Sequence, residues 1–128
     1  MRIKLLVLIL VSFISVYSFA KRPAPISIEP VHHNNIVYSV PHWSYQNGTS
    51  QNGGVVRAND NGSSKLLWQV TVYDTEYKQG LERDVQDVFI KSIELVNNQN
   101  ILKVTNDLGH IFQVNLNTRQ VQQVGSGI

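Results

Sequence analysis

From Val55 to Val124 the chain is a series of short runs rich in Val, Ile, Leu and aromatic residues, each closed off by Asn, Asp, Gly or Ser. The runs cover 55–59, 66–74, 88–96, 101–106, 110–115 and 120–124, and an earlier one, 36–40, stops at Pro41. Their length and β-branched content mark them as strands, and the polar links between them as turns. The links decide the topology. A parallel pair needs a crossover of about a dozen residues or more, whereas Asp60-Asn61-Gly62-Ser63-Ser64, Asn97-Asn98-Gln99-Asn100, Asp107-Leu108-Gly109 and Asn117-Thr118 return the chain at once. The pattern predicts an all-β antiparallel domain of about six or seven strands, folded as a small sandwich or open barrel.

Alternation assigns faces within the runs. Leu66, Trp68, Val70 and Val72 are wholly apolar and alternate with Leu67, Gln69, Thr71 and Tyr73, so the first set is expected to face the core. Phe112, Val114 and Leu116 mark an inward face, with Gln113 and Asn115 outward. The run 88–96 has no clean face, because Val88, Ile90, Ser92, Glu94 and Val96 stand against Phe89, Lys91, Ile93 and Leu95. It is expected to be covered on part of both faces. Only 77–86 breaks the rhythm; Leu81 and Val85, four apart, fit one helical turn or a loop.

Two segments of other character precede the strands. Arg2 and Lys4 open a leader, Leu5 to Tyr17 is apolar except for Ser12 and Ser15, and Ser18-Phe19-Ala20 places small residues at −3 and −1 of a cleavage site. This is the layout of a secretory signal peptide, and its apolar run of about thirteen residues is short of the ~20 that span a bilayer. Residues 21–35 carry Pro23, Pro25, Pro30 and the pair His32-His33, and read as an extended arm with a short strand at 26–28. The expected organisation is signal peptide 1–20, arm 21–35, a single all-β domain 36–124 and a flexible tail 125–128. The product is expected outside the cytoplasm, periplasmic or secreted, with no membrane span after cleavage.

Removing the leader corrects the charge. Eleven basic residues less Arg2 and Lys4 leave nine against nine acidic ones, so a nucleic-acid partner has no electrostatic support. The absence of cysteine excludes disulfides, thiolate metal sites and cysteine nucleophiles. Roughly 108 residues can bury a core without disulfides.

Two segments share a layout of strand, polar turn and strand: 54–70, and 109–124. The first, through Val55-Val56, Ala58, Asp60, Lys65, Leu67 and Trp68, resembles the repeat of PQQ-like β-propellers over residues 53–70. The blades of that family run strand, a turn such as Asp-x-x-Thr-Gly-Lys, then a strand opening with Leu-Trp; here Gly62-Ser63-Ser64 stands in place of Thr-Gly. From Gly53 to Val124 the chain is similar to a small group of exported bacterial proteins that join one such hairpin to a continuation of this kind. The resemblance implies fold and export and no particular activity. It also adds a second architecture, a single propeller-blade-like sheet with an accessory hairpin. A propeller closes several four-stranded blades into a ring, and one hairpin pair cannot enclose a quinone, so no cofactor is expected.

Three constellations bear on chemistry. His32, His33, His42 and His110 lack the spacing of a zinc site, and neighbours on an extended chain point apart, so no metal is expected. Asp74, Glu76, Glu82, Asp84 and Asp87 form an acidic cluster. Two of its carboxylates, Asp84 and Asp87 foremost, could act as the acid and base of a small hydrolase, against a reading in which they brace the 74–83 excursion by accepting its backbone N–H groups. His42, Trp43, Tyr45 and Asn47 form a candidate ligand-binding loop, since aromatics with amides suit sugars and peptides; the same residues also suit closing the end of a core. No Gly-x-Ser-x-Gly elbow supports a serine nucleophile. The function expected is a non-catalytic binding or interaction module for a protein, a glycan or a second copy of the chain. Gln69, Gln113, Asn115 and Gln122 would supply hydrogen bonds without charge.

Overall fold

The computed structural model describes residues 23–97 and 99–126. The expected signal peptide and the last two residues of the expected tail lie outside the described residues. Among the described residues eight strands form two antiparallel four-stranded sheets, each in chain order. The first holds β1 (Val31–His33), β2 (Ile36–Ser39), β3 (Val55–Asp60) and β4 (Leu66–Thr71); the second holds β5 (Ile90–Leu95), β6 (Ile101–Asn106), β7 (Ile111–Asn115) and β8 (Val121–Gly125). Two one-turn helices interrupt the connections, α1 (Ser44–Asn47) after β2 and α2 (Arg83–Gln86) after β4. The sheets pack face to face as a small sandwich and do not close into a barrel. The hairpins with the shared sequence layout, β3–β4 and β7–β8, are the last two strands of each sheet.

The strand beyond the expected number is β1. Asn34 and Asn35 adopt φ of 52° and 63°, the left-handed pair that a two-residue hairpin requires, and they fold the end of the expected arm onto β2 with Val31 opposite Tyr38. The short strand expected at 26–28 therefore lies further on, after Pro30. Residues from both sheets share one core: Tyr38, Val56, Ala58 and Val72 from the first half; Ile90, Ile93, Leu102, Val104, Phe112 and Val114 from the second. Tyr73 stacks on Phe112 across the sandwich, with ring centroids 5.2 Å apart.

Three strands each carry one extra residue. On β4, Ala58 pairs with Trp68 and Asn59 with Leu66, which leaves Leu67 over. On β5, Ile90 pairs with Asn106 and Ser92 with Thr105, which leaves Lys91 over. On β8, Ile111 pairs with Gly125 and Phe112 with Gln123, which leaves Val124 over. Each bulge shifts the alternation by one residue. Leu66 is therefore 50% exposed rather than facing the core, while Trp68 and Val70 pack against it and Val72 is buried. The mixed run 88–96 is resolved in the same way: Ile90 and Ile93, three apart, are both buried, and Lys91, Ser92 and Glu94 are exposed. At its start the adjacent Phe89 and Ile90 are both buried, Phe89 against His42 and Trp43 and Ile90 in the shared core, so cover on both sides is confined to that end. β6 and β7 carry no extra residue between them, and Phe112, Val114 and Leu116 are buried as their alternation predicts.

Candidate functional site

The loop between β2 and β3 and the excursion between β4 and β5 knit together into a polar cap. Gly53 and Gly54 make this approach feasible, with φ of 78° and 79°; a Cβ on Gly53 would collide with the Val88 carbonyl. Gln51 spans the two segments: its Nε2 donates to the carbonyls of Gly53 (3.0 Å) and Tyr73 (2.9 Å), and its Oε1 accepts from the Thr75 N–H (2.9 Å). The buried Asp87 carboxylate accepts from the Tyr77 hydroxyl (2.6 Å) and from Asn52 Nδ2 (3.0 Å). Arg83 lies 3.7 Å over the Tyr77 ring and donates to the Ser50 carbonyl. Desolvation, then the bond to Asp87, raises the Tyr77 pKa above the ordinary tyrosine value. Burial, aided by the Asp107 charge, raises that of Tyr73, whose hydroxyl donates to the Val88 carbonyl.

The expected ligand-binding loop divides within this cap. His42 is buried edge-on to Phe89 and donates from Nε2 to the Ile26 carbonyl at 2.8 Å, tying the arm to the sandwich. Asn47 is buried and spends its amide on the carbonyls of Pro41 and Gln51 and on the Thr49 N–H and hydroxyl. Trp43 is half-buried with its edge on Phe89, at 5.5 Å. Tyr45 alone of the four is open, 81% exposed. The structure does not bring the four side chains to one surface.

The acidic cluster separates too. Asp74, Glu76, Glu82 and Asp84 are exposed and Asp87 is buried. Among the described residues no three His, Asp or Glu gather as a metal site. Bracing of the excursion falls largely to Gln86: its Oε1 accepts from the Lys78 N–H at 2.6 Å, and its Nε2 donates to the carbonyls of Lys78, Leu81 and Glu82. Asp87 takes side-chain donors from both segments of the cap, Tyr77 from the excursion and Asn52 from the loop. Asn52 and Gln51 are the residues that the sequence reading left out of the cap.

The outer face of the second sheet is where unspent hydrogen-bonding groups collect. Lys103 is opposite Glu94 and Gln113, and Gln113 is opposite Gln122, so one cross-strand row reads Glu94, Lys103, Gln113, Gln122. Glu94 and Lys103 neutralise each other at 3.2 Å. Beside this row lies a cleft of about 570 Å³ lined by Ile101, Gln113, Asn115, Gln120, Val121 and Gln122. Asn115 Oδ1 caps its own turn, accepting from the N–H groups of Asn117 and Thr118. Gln69, on the first sheet, is committed elsewhere: Nε2 donates to the Asn47 carbonyl and Oε1 accepts from Arg57. No protein-family model matches the chain, and no curated protein matches it either.

Proposed function

We propose that this chain is an exported, non-catalytic binding module, that its recognition surface is the outer face of the second sheet, and that it recognises a glycan. The observation that carries the reading is the cleft of Gln113, Asn115, Gln120 and Gln122 beside the neutralised Glu94–Lys103 pair. A primary amide both donates and accepts, which matches a hydroxyl-rich, uncharged ligand, and Ile101 offers a small apolar surface for a sugar face. The near-neutral charge without the leader points the same way. Export rests on the leader pattern of 1–20. The hydrolase alternative needs a pair of carboxylates across a cleft, and the buried, doubly bonded Asp87 is poorly suited to be one of them.

The test is calorimetric titration with a panel of soluble neutral and anionic polysaccharides, using the wild type and the double variant Gln113→Ala/Gln122→Ala. A net hydrogen bond contributes about 0.5–1.5 kcal/mol, so losing two should weaken binding roughly tenfold or more with an unchanged melt. Binding that survives in the double variant, or no binding to any member of the panel, contradicts the reading.

A further inference from the structure

A second cleft, of about 390 Å³, opens between the excursion and the β6–β7 turn, away from the proposed glycan surface and independent of it. Val88, Leu108 and Phe112 give it one apolar side, and polar groups line the rest, Asp74, Glu76 and His110 among them. Its floor is stiff, because Tyr73 stacks on Phe112 and fixes its hydroxyl on the Val88 carbonyl at 2.8 Å. The charge on its rim is uncompensated. Some of the other acids have partners: Asp87 has Tyr77 and Asn52, Glu94 has Lys103, and Asp60 caps its own turn through Gly62 and Ser63. Among the described residues neither Asp74 nor Glu76 has an ion pair or a side-chain hydrogen bond.

From this juxtaposition we infer that the cleft binds an organic cation, a primary ammonium or guanidinium group on an apolar stem. The stem suits Val88, Leu108 and Phe112, and the head suits the two carboxylates, the division of labour that small-ligand sites show. A bare metal ion is the poorer fit, since Asp74, Glu76 and His110 are not gathered as a ligand set. The cation can arrive as a free amine or as a Lys or Arg side chain of a peptide, and the chemistry recognised is the same.

The experiment titrates the folded protein with hexylamine, agmatine, hexanol, the blocked tripeptide acetyl-Gly-Lys-Gly-amide and calcium chloride, following backbone amide shifts by NMR. The amines are expected to shift the amides of Asp74, Glu76, Leu108 and His110 saturably, and hexanol at least tenfold more weakly. Asp74→Asn/Glu76→Gln, which keeps side-chain shape, should abolish that preference, and added salt should weaken amine binding. Response to the tripeptide as well as the free amines assigns the site to basic side chains, and response to the free amines alone assigns it to small amines; either supports the inference. Equal binding of hexanol, an unchanged preference in the double variant, saturation by calcium alone, or no saturable shift at these amides overturns it. Asp74 and Glu76 are exposed and make none of the cap's hydrogen bonds, so the double variant is expected to fold. Should it not fold, the hexylamine-against-hexanol comparison on the wild type still decides.

Discussion

At the scale of single residues, the cap is held by backbone approach and by a few buried polar groups. Gly48 and Gly53 have nearly the same φ, 76° and 78°, yet a Cβ on Gly48 meets nothing within contact range while one on Gly53 meets the Val88 carbonyl. Gly48→Ala should therefore carry only the left-handed penalty, about 1–2 kcal/mol. Gly53→Ala should add a steric conflict and cost about 3 kcal/mol or more. Urea melts of the two variants check this, and equal costs would mean that loop and excursion are not packed as described. The Tyr77–Asp87 bond gives a second expectation. Tyr77→Phe leaves a buried carboxylate short of one donor, at a cost of about 1–3 kcal/mol, whereas a cap that does not depend on this bond would leave the melt unmoved. The tyrosines also set an alkaline limit. Tyr73 and Tyr77 have pKa values raised in the folded state, so the fold retains their protons better than the unfolded chain does. Their contribution is fully present below the ordinary tyrosine value of about 10 and is lost as pH climbs through the raised values. Unfolding midpoints measured upward from about pH 9 should fall, and Tyr73→Phe should flatten the decline; an unchanged slope would remove Tyr73 as its source.

At the scale of the elements, the strands were legible where the ladder is regular and misread where it bulges. Turn residues and β-branched runs located seven of the strands, and plain alternation assigned the faces of β7 correctly, because β6 and β7 pair without interruption. Alternation failed for Leu66 and for the run around Ile90, because an inserted residue has no composition of its own: Leu67 and Lys91 look like any strand residue until the partner register is known. The first strand was hidden for a related reason, since three prolines just before it made Val31–His33 look like the end of an arm. The cap was less legible still. Asn52 meets Asp87 35 residues later, and Gln51 meets Tyr73 22 residues later, and no local spacing announces such pairs. Gln113 and Gln122 were picked out by amide content, but their direct opposition needed the register. The bulges also protect the sheets. All three lie on outermost strands, β4, β5 and β8, and the fourth edge, β1, is three residues long behind Pro30. Short or bulged edges resist pairing with another chain. Deleting Leu67 should straighten β4 with Leu66 still opposite Asn59 on the outer face, and concentration-dependent self-association should appear by sedimentation velocity. A variant that stays as monomeric as the wild type would argue that the bulge has no protective part.

At the scale of the whole molecule, two four-stranded meanders share one core and leave their outer faces for other work. With all four edges blunted, the wild type is expected to sediment as a monomer with one cooperative melt, and the proposed recognition would use faces and clefts rather than strand addition. Among the described residues no helix is long and apolar enough to cross a membrane. The two meanders differ in what they offer outward. On the first sheet Gln69 and Arg57 are engaged with each other and with α1. On the second, Gln113 and Gln122 stand open beside a neutral ion pair. That difference is the basis for the proposal that a glycan would bind on β6, β7 and β8. The most direct measurement is a backbone-amide NMR titration of the folded chain with whichever polysaccharide fragment binds. The account predicts saturable shifts concentrated at Ile101, Gln113, Asn115, Gln120 and Gln122 and lost in Gln113→Ala/Gln122→Ala. Shifts concentrated instead at Tyr45 and Trp43, or at the Asp74 and Glu76 cleft, with the second sheet silent, would contradict it.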